Sequence, residues 1–262
     1  MTEPQTSRNR ALSVQRHAEI LQRLAANGAV SIADLAEHFA VSRETVRRDL
    51  KLLADRKELN LIHGGAARFA GSEPALTQRS MENAKGKAAI GRAAAALVRD
   101  GMVVLLDSGT TTLAVAEALA ERRSLTVCTP SLAIALRLCR QPGFRVHVLG
   151  GEVDPSEEAA SGIDMVEALR NLRVDIAFIG AGGLSDVGEV TDFTRNGAEQ
   201  RSRMIEAAAA AYFVLDSDKF GRLTPMRVPN FERADGIIVD KMPPRRLAEA
   251  VAKRGPRIVV GD

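Results

Sequence analysis

Two stretches of the chain gather side chains that hold anions, and they differ in kind. In Ser42-Arg43-Glu44-Thr45-Val46-Arg47-Arg48-Asp49-Leu50-Lys51, the donors Ser42, Arg43, Thr45, Arg47, Arg48 and Lys51 share the helical faces that Val46 and Leu50 leave open. A helix of this composition laid in the DNA major groove presents its first turns to base edges. There an arginine reads guanine bidentately, and a threonine meets a thymine methyl or a phosphate. Arg43, Thr45 and Arg47 are the candidates for base contact, and Arg48, Lys51 and His63 for phosphate contact, which fixes register without carrying sequence information. The competing reading is a solvated face laced by ion pairs, Arg48 with Glu44 or with Asp49.

The second stretch, Asp107-Ser108-Gly109-Thr110-Thr111-Thr112, follows the apolar run Met102–Leu106 and opens a helical pattern. A helix start leaves backbone N–H groups without partners, and hydroxyls beside a glycine allow a phosphate dianion to approach them closely. The same composition also serves as a plain N-cap. Loops expected at other strand ends point to the same edge: Thr129-Pro130-Ser131, Gly150-Gly151, Gly180-Ala181-Gly182-Gly183 and Asp216-Ser217-Asp218-Lys219. For the glycines, tight turns are the alternative. Lys87 either faces the phosphate or is a solvated first-turn lysine.

The elements that must position the first stretch are short. Val14, Ala18, Ile20, Leu21, Leu24 and Ala25 recur at helical spacing before the stop Asn27-Gly28, and Val30-Ser31 forms an extended step. Ser31 caps a second helix, Ile32 to Phe39, with Leu35, Ala36 and Phe39 inward. After Ala40-Val41, Ser42 caps the third helix, whose buried face is Val46, Leu50 and Leu53. Leu59 to Ile62 and the residues after His63-Gly64-Gly65 predict a β-hairpin wing with a Gly-Gly turn. Ser31, Ser42, Glu44 and Gly64 complete the candidate DNA-facing set.

The remainder alternates apolar runs with helical patterns. Strands are expected at 102–106, 125–128, 145–149, 176–179, 212–215, 236–239 and 257–260, and helices at 86–99, 111–121, 131–140, 162–170, 198–210 and 244–253. Parallel pairing with helices on both faces follows, because each apolar strand is separated from the next by a helical crossover. The fold class is α/β: a winged helix-turn-helix joined to a Rossmann-like domain. The alanine runs 93–96 and 207–211 suit close helix packing. Expected boundaries are a disordered N-terminus over 1–14, a DNA-binding domain over 15–70, a linker over 71–84 and an effector domain over 85–262.

Composition limits the function classes. With 45% hydrophobic residues, 262 residues are comfortable for two packed domains. Cys128 and Cys139 form no CxxC pair or Cys/His cluster, so neither a zinc site nor a disulfide framework is expected, and a reducing cytoplasm fits. No signal-peptide pattern or long apolar stretch is present, which predicts no membrane association. The net charge of +3 lies wholly in the first 70 residues, where 11 Lys and Arg face 8 Asp and Glu. One small unit is thus biased toward a polyanion.

Val30-Ser31-Ile32-Ala33-Asp34-Leu35-Ala36, SRETVRRDLKLL and HGGA together resemble the DeoR-type family of bacterial sugar-metabolism regulators over nearly the whole chain. The family usually has a glycine where Lys57 stands and an arginine where Leu61 stands. The resemblance implies a repressor that binds double-stranded operator DNA as a dimer or tetramer and is released by a phosphorylated sugar. It also implies a sensor domain similar to ribose-5-phosphate isomerase, whose phosphate loop matches DSGTTT, with no further cofactor. Under it Lys87, Asp107 to Thr112, Gly150, Gly151, Gly180, Ala181, Gly182, Arg201 and Lys219 line the effector site. The family more often has acidic residues near Gly197 and a lysine at Arg201. The isomerase has an Asp-Glu pair where Gly182 and Gly183 stand, and glycines cannot take the C2 proton in an aldose–ketose exchange. No catalytic residue is expected. An active sugar-phosphate isomerase with an accessory DNA-binding domain is the competing reading.

Overall fold

The computed structural model describes residues 13, 15–24, 29–56, 59–62, 64–68 and 76–262. The expected N-terminal tail apart from Ser13, and also Lys57, His63 and residues 71–75 of the expected linker, lie outside the described residues. The chain divides into two compact units, Met1–Glu73 and Pro74–Asp262.

In the first unit, α1 (15–24), α2 (Ile32–His38) and α3 (Arg43–Asp55) surround one core of Ile20, Leu24, Leu35, Ala36, Val46, Leu50 and Leu53. Ala18 faces solvent, so the inward stripe of α1 is narrower than its sequence pattern. Ser31 accepts from the N–H groups of Ala33 and Asp34, and Ser42 from that of Thr45. The turn between α2 and α3 closes without glycine. Ala40 stands at φ +51, its N–H reaches Glu37 O, and the Val41 N–H reaches Ala36 O, which is a Schellman closure.

Strands β1 (Ala29–Ser31), β2 (Leu59–Ile62) and β3 (Gly65–Arg68) pair antiparallel in the order β1-β3-β2. The extended step before α2 is thus a sheet strand. The register pairs Ile62 with Gly65, so Gly65 is already in the strand, in contrast to the expected Gly-Gly turn. Gly64 takes φ +80. A side-chain carbon on Gly65 would stand 2.0 Å from Val30 O, so the second glycine is required for strand contact and not for the turn.

The second unit begins with α4 (Leu76–Arg79) and α5 (Ala84–Ala96). Residues 76–84 are part of the fold and not the expected linker: Leu76 and Arg79 are buried, and Arg79 pairs with Glu157. So short a helix has too few residues to show a period in the sequence. Then follow β4 (Val103–Leu106), α6 (Thr110–Leu119), β5 (Thr126–Thr129), α7 (Leu132–Leu138) and β6 (Arg145–Val148). The hairpin β7 (Glu152–Asp154) and β8 (Ala159–Ser161) leads to α8 (Ile163–Arg170) and β9 (Val174–Ile179). Next come β10 (Gly183–Leu184), β11 (Val190–Asp192), α9 (Arg195–Ala207), β12 (Ala208–Val214) and β13 (Met226–Arg227). The chain closes with β14 (Gly236–Val239), α10 (Arg245–Ala252) and β15 (Arg257–Val260).

The main sheet runs β15-β14-β12-β9-β4-β5-β6, and every pair is parallel. Alternate side chains enter two cores: Leu105, Ala177, Ile179 and Phe213 on one face, Val104, Leu106, Phe178 and Val214 on the other. From β4 the chain winds outward to β5 and β6, then returns to β4's other side as β9. That reversal opens a crevice at the carboxyl ends of β4 and β9. The alanine run 207–211 is helical only at Ala207. Helix α9 ends at Ala207, and Ala208, Ala210 and Ala211 pair with Val174, Ile176 and Ala177. Pairing with a buried central strand overrides alanine's helix preference.

Candidate functional site

On α3, the caps and the buried stripe rotate one face outward. Ser42, Arg43, Glu44, Arg47, Arg48 and Lys51 are exposed, and Thr45 is half-buried with its hydroxyl 2.9 Å from that of Ser42. Glu44 lies 3.5 Å from Arg47 and 3.6 Å from Arg48. Exposed pairs of this kind contribute about 0–1 kcal/mol, so both arginines are cheaply released to a phosphate or base. Gly64 is exposed at the wing tip, Ser31 caps α2, and Leu61 stands exposed on β2.

Asp49 is not a partner for Arg48. It is buried and turned into the unit, where Arg16 donates to both of its oxygens at 2.6 and 3.0 Å and His17 Nε2 lies 2.8 Å away. The helical period places residue 49 beside Val46 and Leu53, a signal its charge masked. Burial pushes its carboxyl up, but hydrogen bonds and charge from Arg16 and His17 outweigh that and hold it below the ordinary value of 3.8. A depressed carboxyl stabilises the fold above its unfolded pKa and loses that contribution as pH falls through its folded value. Asp49→Asn is therefore expected to destabilise the first unit by about 1–3 kcal/mol at neutral pH, with the deficit shrinking as acid protonates the depressed carboxyl. Hydrogen exchange of the α3 amides checks this. A deficit as large at acid pH as at neutral pH would count against the ion-pair account.

In the second unit, the β4–β9 crevice collects the 107–112 and 180–183 loops, and the 215–219 loop follows the adjacent β12. Gly109 adopts φ +124 as N-cap of α6, and Thr110, Thr111 and Thr112 are buried in its first turn. The Thr112 hydroxyl donates to Gly109 O at 2.9 Å, so its proton closes the turn. First-turn N–H groups, with the hydroxyls of Thr110 and Thr111, are the donors suited to an anion. Ser108 is half-buried beside them.

Asp107 and Arg201 organise the crevice. The Asp107 carboxylate accepts from Ser108 N at 2.8 Å and Gly180 N at 3.0 Å, and it lies 3.1 Å from Arg201 Nε. Arg201 also donates to Gly180 O at 2.8 Å and pairs with the buried Asp192. Burial pushes the Asp107 carboxyl up, and Arg201 opposes the shift. Both side chains are expected at the ligand from the sequence; their hydrogen bonds form a staple across β4, β9 and β11. Asp192 is absent from that expectation, although Asp192 followed by the capping Thr194 marks a helix entry. Gly197 adjoins this cluster: a side-chain carbon there would stand 2.5 Å from Asp192 Oδ1 and 3.0 Å from Arg201 Nη1.

Lys87 is buried, which excludes the solvated reading, and its ammonium donates to Arg79 O at 2.7 Å and Glu82 O at 2.6 Å. Lys219 is half-buried in the Ser217–Lys219 turn, and Ala181 is half-buried. Gly150 and Gly151 follow the edge strand β6, separated from β4 by β5. Gly151 stands at φ +141 with Ser161 O 2.3 Å from where a side chain would begin, so its role is the close approach of the β7–β8 hairpin. At Gly183 that carbon would meet Arg222 O at 2.3 Å, and at Gly182 Thr191 O at 3.0 Å. No carboxylate fits at either position without moving backbone.

Among the described residues, no group of three or more His, Cys, Asp or Glu is placed to hold a metal ion, and no helix is long and apolar enough to cross a membrane. Comparison with known proteins matches residues 16–70 to the DeoR-like helix-turn-helix domain and residues 82–241 to the DeoR C terminal sensor domain. The chain is similar to the glycerol-3-phosphate regulon repressor of Escherichia coli (strain K12), 30% identical over 231 residues that cover 88% of this chain and 92% of that one. It is also similar to the HTH-type transcriptional regulator YgbI of the same organism, 34% identical over 95% of this chain and 98% of that one. Among solved structures, ribose 5-phosphate isomerase A from Methanocaldococcus jannaschii aligns with a TM-score of 0.40 at 18% identity, over 54% of this chain and 56% of that chain.

Proposed function

The chain belongs to the DeoR family of transcriptional regulators, and from that premise we propose that it represses a carbohydrate catabolic operon and is released from its operator by a phosphorylated sugar. Membership marks a regulator rather than an enzyme. In the proposal, a cytoplasmic dimer or tetramer docks α3 in successive major grooves with Arg43, Thr45 and Arg47 toward bases and Arg48 and Lys51 toward phosphates. The effector phosphate sits at the start of α6, and the sugar lies toward the 180–183 and 215–219 loops. It needs no other cofactor.

The observation that carries the effector half is the position of the Gly109-capped, hydroxyl-rich helix start at the β4–β9 reversal, where open α/β sheets bind ligands. The ligand lowers operator affinity only to the extent that it binds the DNA-incompetent arrangement more tightly. The test begins with operator DNA selected by the purified chain from a random-sequence pool. Binding is then measured with and without glycerol 3-phosphate, ribose 5-phosphate, fructose 6-phosphate and galactosamine 6-phosphate. Release by at least one phosphosugar, and not by its dephosphorylated form, is expected. Equal release by the unphosphorylated sugars would refute the phosphate site.

A further inference from the structure

The stretch by which the chain enters the second unit is fastened to loops in two places. At its start, Leu76 N–H donates to Ser156 O at 2.9 Å, and the Arg79 guanidinium donates to both Glu157 oxygens at 2.6 Å. These contacts fix α4 to the turn of the β7–β8 hairpin. At its end, Asn83 stands at φ +46, and its Nδ2 donates to Asp240 Oδ2 at 3.0 Å. The same carboxylate accepts the Ser217 N–H at 2.6 Å and the Ser217 hydroxyl at 3.0 Å. A side-chain carbon on Gly86 would lie 2.5 Å from Asn83 Oδ1 and 2.6 Å from Asp240 Oδ2, so the absence of one leaves room for this link. Between the two fastenings, Lys87 reaches back to the carbonyls of Arg79 and Glu82 and secures the end of α4. Burial lowers the pKa of that ammonium, and Asp216 of the 215–219 loop is the foremost charge opposing the shift.

We infer that residues 76–87 are a coupling strap, in which Asn83 and Lys87 are positioning residues that convey the state of the 215–219 loop to the chain leading from the DNA-binding unit. The inference rests on the effector reading above. A ligand that draws Ser217 and Lys219 inward shifts Asp240 through its two bonds to Ser217, and Asn83 moves with Asp240. The hydrogen bonds of Asp240 to Asn83 and Ser217 are part-buried and specific in direction, so such a shift exchanges one set of partners for another instead of fading with distance.

The test uses the full chain, the selected operator, and whichever of the four phosphate esters raises the wild-type melting temperature. Asn83→Gly retains the left-handed backbone and removes the bond to Asp240; Lys87→Met retains the stem and removes the ammonium. For Asn83→Gly, operator affinity without ligand is expected within about threefold of wild type, and the ligand-induced rise in melting temperature is retained. The ligand-induced loss of operator affinity, roughly tenfold or more in the wild type, is expected to shrink at least fivefold. Release equal to wild type in Asn83→Gly overturns the strap, as does loss of ligand binding in that variant, which would make Asn83 part of the binding site. Should Lys87→Met fail to fold, Asn83→Gly alone decides. A wild type that none of the four phosphate esters stabilises overturns the effector reading and the strap together, whereas equal release overturns the strap alone.

Discussion

The double variant Arg47→Ala/Arg48→Ala is expected to bind operator DNA roughly a hundredfold or more weakly than the wild type, at unchanged stability. A bidentate arginine–base pair contributes about 1–3 kcal/mol of discrimination, and removing one cation from a phosphate lowers the salt slope by about 0.9. Both guanidinium groups are exposed on α3, and their pairs with Glu44 are weak, so folding has little stake in either. The single variants separate the two roles. Arg48→Ala should weaken all sequences alike and flatten the salt dependence, whereas Arg47→Ala should relax preference at one base position. Fluorescence anisotropy on matched and mismatched duplexes at several salt concentrations measures both. Unchanged affinity in the double variant would remove α3 as the reading helix.

Arg201→Met is expected to cost the second unit about 3–5 kcal/mol, since it leaves the buried carboxylates of Asp107 and Asp192 without their shared cation. For a unit of this size that is a fall in melting temperature of roughly 6–20 °C. The sign of the pH dependence follows from Asp107, whose carboxyl burial already pushes up. A raised carboxyl favours the fold at low pH and loses that advantage as pH rises through the folded value. Removing the arginine raises it further, so the deficit should grow from acid toward neutral pH. Thermal melts across that range test this, and a deficit independent of pH would argue that Arg201 matters through packing alone.

The seven strands of the main sheet were legible because each is a short apolar run between helical patterns, and the parallel pairing followed from the crossovers. Ser31 and Ser42 were legible as caps because a hydroxyl before an amphipathic pattern has few other uses. Less visible were elements stabilised by partners far away in sequence. The β7–β8 hairpin has an exposed first strand without alternation, and β10, β11 and β13 are two or three residues long. Alanines 208–211 carry no strand signal, since what makes them a strand is the backbone of β9. At the site, the phosphate-type turn could be read from DSGTTT, but the Asp107–Arg201–Asp192 staple joins residues up to 94 apart, and no local pattern announces it. Asp49 shows the reverse case: its spacing placed it inward while its charge suggested the surface.

Gly197 has a consequence for how this sequence can change over generations. Any side chain there would press on Asp192 and Arg201, while Arg201 needs that space to fork between Asp107 and Asp192. The two positions are therefore epistatic. A side chain at 197 meets the Asp192 carboxylate first and Arg201 behind it, so exchanging arginine for lysine at 201 is not enough by itself, and Asp192 must turn away as well. Divergence at this crevice therefore ties three positions together, and as long as Asp192 and Arg201 keep their pairing, glycine is held at 197.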